Sequence, residues 1–163
     1  YRKKELLPDN LGEFKTPIGI AEVLQEGTDV TLVTYGTCIS IAEESITQLK
    51  QFGISVELID IQTLLPFDLT GVIGKSITKT NRVVFMDEDV SGGATGFMMQ
   101  KVLDEQNAYF HLDAQPKTLS AKDHRPAYGS DGNYFSKPNV EYVFDTIYNL
   151  MREGNPTKFP ELY

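Results

Sequence analysis

The chain has 163 residues, 40% hydrophobic and 23% charged, which fits one globular domain with a core of ordinary size. Its net charge of −8 argues against non-specific nucleic-acid binding, which needs clustered lysine and arginine, and suits a protein that meets a basic partner. Cys38 is the single cysteine, so no internal disulfide forms and a reducing, cytoplasmic compartment is expected; no apolar run reaches the roughly 18 residues of a membrane span.

Residues 1–17 carry Pro8, Gly12 and Pro17 among charges and read as a linker, expected to enter from a further upstream domain. Glu22 to Gln25 reads as a short strand ended by Gly27. Asp29 to Tyr35 is β-branched, aromatic and nearly continuous in apolarity, the pattern of a strand buried on both faces. Thr37 to Phe52 predicts an amphipathic helix, because Ile39, Ala42, Ile46 and Leu49 share one face. Gly53 suits its C-terminal cap. Ile54 to Ile61 is the next strand. Asp68 then caps a predicted helix over Leu69 to Lys79. Arg82 to Met86 predicts another buried strand, followed by Asp87, Glu88 and Asp89. A helix is expected from about Thr95 to Gln106, and a weak last strand over Gln115 to Ser120. Asp123 to Asn139 reads as a long loop. Val140 to Arg152 predicts a closing helix, so the domain is set at 18–152, with residues 153–163 as an exposed tail.

Strands alternating with helices predict an α/β fold in three layers, α/β/α, around a mostly parallel five-stranded sheet. The connection through Gly27 is too short for a crossover, so the first strand must run antiparallel, at an edge.

Several groups invite a chemical reading. The Gly36-Thr37-Cys38 turn precedes a helix N-terminus, where backbone N–H groups favour anions, but it matches neither a Walker loop nor a dinucleotide fingerprint. A flavodoxin-like nucleotide- or phosphate-binding module is the alternative built on that turn; a tight packing turn is the plainer one. Cys38 reads as a small buried residue rather than a nucleophile. Asp87, Glu88 and Asp89 lie at the carboxyl end of a predicted central strand, where open α/β sheets bind ligands. Consecutive extended residues point alternately, so they read as solvated or partner-facing acids rather than a metal site. Asp123, His124 and Arg125 lie in a loop, where functional groups often sit, and Arg125 has the chemistry to orient a carboxylate or phosphate.

A family resemblance follows from the longest informative stretch. AEVLQEG and DVTLVTYGT, then GISVELIDIQTLLPFD, resemble the C-terminal domain of the transketolase superfamily, and within it the beta subunit, or beta portion of a fused chain, of thiamine-diphosphate-dependent 2-oxo acid dehydrogenases. Lys79 to Val84, Glu88, Gly92-Gly93, Leu112-Asp113-Ala114, Asp123 and Pro126 extend the resemblance, and Tyr1-Arg2 with Pro17 to Gly19 resemble the linker entering this domain. The chain departs from the family pattern at Ala94 to Met99 and at His124-Arg125. The resemblance implies an enzyme that decarboxylates pyruvate or a branched-chain 2-oxo acid and passes the product to a lipoyl group. It implies a homodimer or heterotetramer and a lipoyl-bearing acyltransferase as partner. It also implies that thiamine diphosphate and Mg²⁺ are held in other domains, since the Gly-Asp-Gly…Asn motif is missing from these residues. No catalytic, cofactor or metal residue is therefore expected here. Asp87, Glu88, Asp89, Asp123, His124 and Arg125 are the candidate partner or active-site-entrance residues.

Overall fold

The computed structural model describes residues 6–7, 9–125, 128–129 and 132–162. The expectations placed on Tyr1-Arg2 and Pro126 lie outside the described residues. Five strands form one sheet in the order β1-β3-β2-β4-β5: β1 Glu22–Gln25, β2 Val30–Thr34, β3 Val56–Asp60, β4 Val83–Met86 and β5 Lys117–Leu119. β1 pairs antiparallel with β3 at the edge, with a register irregularity between Val23 and Gln25. The other pairings are parallel. This is the mixed sheet with one antiparallel edge strand that the short Gly27 connection requires.

Gly27 is needed there for space. A Cβ on it would lie 2.2 Å from the backbone N of Glu57, so no larger residue fits between the β1–β2 turn and β3.

The helices are α1 Cys38–Leu49, α2 Val72–Thr80, α3 Ala94–Gln100, α4 Gly132–Ser136 and α5 Val140–Gly154. Side chains alternate across β2, so its two faces feed two cores. Leu32, Leu58 and Val84 pack with Ala42, Ile46 and Leu49 of α1 and with Val143, Ile147 and Leu150 of α5. On the other face, Val33, Ile59 and Phe85 pack with Ile73 and Ile77 of α2 and with Met98 and Val102. Val33 pairs with both Ile59 and Phe85, which sets these three in one layer.

Several local details differ from the sequence expectation. The helix expected over 95–106 is α-helical only to Gln100 and continues as a π-helical turn over Lys101–Glu105. The expected long loop contains α4. The expected exposed tail holds Phe159, which is 2% exposed. Its ring meets Tyr148 edge-on at 6.0 Å, and the Tyr148 hydroxyl donates to the Pro160 carbonyl at 2.9 Å. One aromatic residue thus pins an otherwise exposed segment to α5.

Asp68 caps α2 as expected, but from outside the helix, which starts at Val72 rather than Leu69. Its carboxylate accepts from the N–H groups of Val72 (3.0 Å) and Ile73 (2.9 Å) and from Gln106 Nε2 (3.0 Å). Gln106 in turn accepts from Gly74 N at 2.7 Å. Asp68→Ala is expected to cost about 1–2 kcal/mol in urea unfolding, because two helix N–H groups lose their acceptor.

A polar network crosses the second face. Thr31 Oγ1 lies 2.6 Å from Ser76 Oγ and 2.7 Å from Thr80 Oγ1. Beside it, the buried Glu57 carboxylate accepts from Gly27 N at 3.1 Å and from Lys79 Nζ, which also reaches Glu26 at 2.8 Å. Burial alone would raise the Glu57 carboxyl; donation from Lys79, Ser76 and Gly27 outweighs it and holds the group below the ordinary range.

Candidate functional site

From β2 the chain passes through α1 to β3 on one side; from β3 it crosses through α2 to β4 on the other. The carboxyl ends of β2 and β4 therefore flank the point where the winding reverses, the usual place for a crevice in an open α/β sheet. Tyr35, Gly36 and Thr37 follow β2 there. Gly36 has φ +60, and its carbonyl accepts from Ile39 N at 3.2 Å, so it turns the strand sharply into α1. Thr34 Oγ1 donates across to the Met86 carbonyl at 2.9 Å and ties the two strand ends together.

Asp87, the first residue after β4, is 3% exposed. Its N–H donates to the Leu119 carbonyl at 2.9 Å, and its Oδ1 accepts from Asp89 N at 3.2 Å. Among the described residues its buried Oδ2 has no hydrogen bond of ordinary length and angle, although the Tyr35 hydroxyl interacts with this carboxylate. The negative field is felt by its neighbours. Burial, and next the charge of Asp87, push the Tyr35 hydroxyl up to about 12. Burial, with smaller contributions from Glu88 and Asp87, pushes the Cys38 thiol up to about 11, although the neighbouring Thr34 side chain acts the other way.

Glu88 points elsewhere and pairs with Lys137 at 2.8 Å. Asp89 turns back on its own loop, accepting from Val90 N at 2.8 Å, while its carbonyl accepts from Ala121 N at 2.8 Å. That last bond brings the segment after β5 to the same end of the sheet. Asp123, His124 and Arg125 are exposed there. The His124 ring Nδ1 lies 2.9 Å from the Arg125 carbonyl, and the Arg125 guanidinium donates to the Tyr128 hydroxyl and lies 4.9 Å from that ring. The six candidates thus share one edge of the sheet without converging. Among the described residues no three His, Cys, Asp or Glu side chains are placed to hold a metal ion. Lys137 is not among the residues expected from the sequence; as the one lysine of the 123–139 loop, with an acid cluster after β4, it is the signal that could have suggested the pair.

This edge does not fit a diphosphate and its Mg²⁺. The acids diverge, and the charges of Asp87 and Asp89 on Tyr35, and of Asp87 and Glu88 on Cys38, put negative potential on either side of the Gly36 turn, which disfavours phosphate. Burial, aided by that field, makes Cys38 unreactive. Alkylation by iodoacetamide at neutral pH is expected to run at least about a hundredfold slower in the folded than in the unfolded chain, rising only as pH approaches the thiol's elevated value. Rapid labelling of the native protein near pH 7 would contradict this geometry.

The sheet order, the antiparallel edge strand and the two flanking helical layers are those of a recognised domain type. Residues 19–137 match the family described as "Transketolase, C-terminal domain". The chain belongs to that family. It is 34% identical over 137 residues to the pyruvate dehydrogenase E1 component subunit beta of Rhizobium meliloti (strain 1021), covering 84% of this chain and 29% of that protein. It is 33% identical over 111 residues to the 2-oxoisovalerate dehydrogenase subunit beta of Bacillus subtilis (strain 168), covering 68% of this chain and 33% of that one. A split-gene transketolase in an inactive beta4 tetramer shares the fold, with a TM-score of 0.70 at 24% identity over 91% of this chain and 45% of the other. The chain therefore spans about a third of the two curated relatives. No described helix is long and apolar enough to cross a membrane.

Proposed function

We propose that this chain serves as the C-terminal domain of a thiamine-diphosphate-dependent 2-oxo acid dehydrogenase, in the decarboxylating component, acting on pyruvate or a branched-chain 2-oxo acid in the cytoplasm. Its part is assembly with the remaining domains, shaping of the active-site entrance, and docking of the lipoyl-bearing acyltransferase. The observation that carries the reading is the 34% identity to a pyruvate dehydrogenase beta subunit over most of the chain. The surface supports the assembly role. Ile18, Leu65 and Leu69 are exposed apolar residues gathered where Gly19 O accepts from Leu69 N at 2.8 Å. Patches of this kind mark surfaces that another body covers. Glu88, Asp89, Asp123, His124 and Arg125, all exposed, would face the entrance or a basic partner, which suits the net charge of −8; Asp87, expected beside them, is 3% exposed and would contribute only its charge.

Calorimetry tests the division of labour. Thiamine diphosphate with Mg²⁺ is expected to give no binding heat with this chain alone. Micromolar binding would overturn the reading. Mixing the chain with the acyltransferase's subunit-binding domain tests docking separately, and absence of any complex removes that role.

A further inference from the structure

A different surface carries a second contact. An apolar groove of about 350 Å³ opens between the start of α1 and the segment 133–140, lined by Ile41, Tyr134, Pro138 and Val140, with Glu88 and Lys137 at its rim. It lies over the α1/α5 layer, whereas the Ile18, Leu65 and Leu69 patch belongs to the side of the sheet that α2 covers. Ile41 also borders an adjoining cleft with Glu43 and Glu44.

The charges around this groove are one-sided. Glu43 and Glu44 are exposed on α1, a helix whose sequence contains no lysine or arginine. Glu141 follows Val140 and is held by the Tyr134 hydroxyl. Glu88 is matched by Lys137. Glu88 and Lys137 balance within the groove itself, so the excess of acid comes from Glu43 and Glu44 across the shared Ile41 and from Glu141 next to Val140.

We propose that this groove docks a segment of a partner protein that inserts a leucine- or phenylalanine-sized side chain beside lysine or arginine residues. An apolar anchor in a pocket carries most of the energy of such contacts, while acids on the rim steer and select a basic partner. The site rests on and deepens the docking role proposed above, which already turns Glu88 toward a basic partner; it adds the apolar anchor, and a synthetic probe keeps its failure distinct from failure of acyltransferase docking.

The probe is a synthetic amphipathic peptide with leucines on one face and lysines on the other. Its partner control carries glutamate for lysine. Anisotropy titration and amide-shift mapping by NMR are the readouts. The lysine peptide is expected to bind, with shifts centred on Ile41, Lys137 and Val140. E43K/E44K, two exposed changes that leave the core alone, should weaken binding roughly tenfold and flatten its salt dependence. I41D should abolish it while the circular dichroism spectrum stays native. E105K, on the other layer, should change nothing. The proposal falls if the lysine peptide does not bind, if the glutamate peptide binds equally well, if shifts centre elsewhere, or if E43K/E44K has no effect. It also falls if the unliganded chain self-associates in the ultracentrifuge and E43K/E44K or I41D abolishes that, since the occupant is then a second copy.

Discussion

Replacing Lys79 with methionine is expected to destabilise the protein by about 2–3 kcal/mol at neutral pH, read from urea unfolding. The reason lies in Glu57, whose side chain is 3% exposed and would keep its charge without its cation. Removing one member of a buried pair usually costs more, but Lys79 is 41% exposed, and water screens the pair from that side. Glu57→Gln in the same background should recover part of the loss, because it removes the stranded charge while Gly27 keeps an acceptor. The pH dependence has a definite sign. Glu57 is held below its ordinary range in the folded state, so its contribution is present above the unfolded carboxylate value of about 4.3 and is lost as pH falls through the depressed folded value. Lys79 is raised, by its bonds to Glu26 and Glu57, so its contribution is present below about 10.4 and is lost as pH rises through the raised value. The gap between native and Lys79→Met proteins should therefore be widest near neutrality and shrink in acid. A gap that stays constant into acid would show that Lys79 acts through packing alone.

Phe85→Ala is expected to have the largest effect of any single truncation considered, about 3–5 kcal/mol. Phe85 is fully buried in β4 and paired beside Val33 of the central strand. Its ring fills the layer under α2 and the 94–105 helix, and those elements are fixed by their own backbone bonds and cannot collapse fully into the void. A melting temperature lower by about 10 °C follows for a domain of this size. Phe85→Leu should cost roughly 1–1.5 kcal/mol, because most of the volume is kept. A loss under about 1 kcal/mol for the alanine variant would mean that the second core repacks freely.

The parts of the fold legible in the sequence were those set by local pattern. The apolar run of β2 announced a strand buried on both faces, and all five of its residues are buried. The 3.6-residue periodicity of α1 and α5 placed the correct faces inward. The connection at Gly27 settled the direction of β1 by length alone. The illegible parts depend on contacts distant in the chain. Nothing in Lys101–Glu105 signals a π-helical turn, since its residues are ordinary helix formers. α4 is too short to show a period. Phe159 looks like an exposed aromatic in a polar tail until Tyr148 and Phe144 are brought beside Phe52 by packing. The candidate site divides in the same way. The acids after β4 could be placed at the strand end from the strand pattern. That Glu88 meets Lys137, 49 residues away, and that Arg125 is occupied by Tyr128 could not.

The match to the family ends at residue 137, yet one of the two cores does not. Val143, Ile147 and Leu150 of α5, with Phe159 beyond it, close the face of the sheet that α1 covers only in part. A chain cut after Lys137 would leave the inward side of Ile46 and Leu49 open to water. It would expose an apolar strip across the face of β2, β3 and β4, suited to association with other copies. The unit that folds is therefore longer than the unit that is recognisable. Comparison of such domains should count the helix that follows the matched segment as part of the protein's interior.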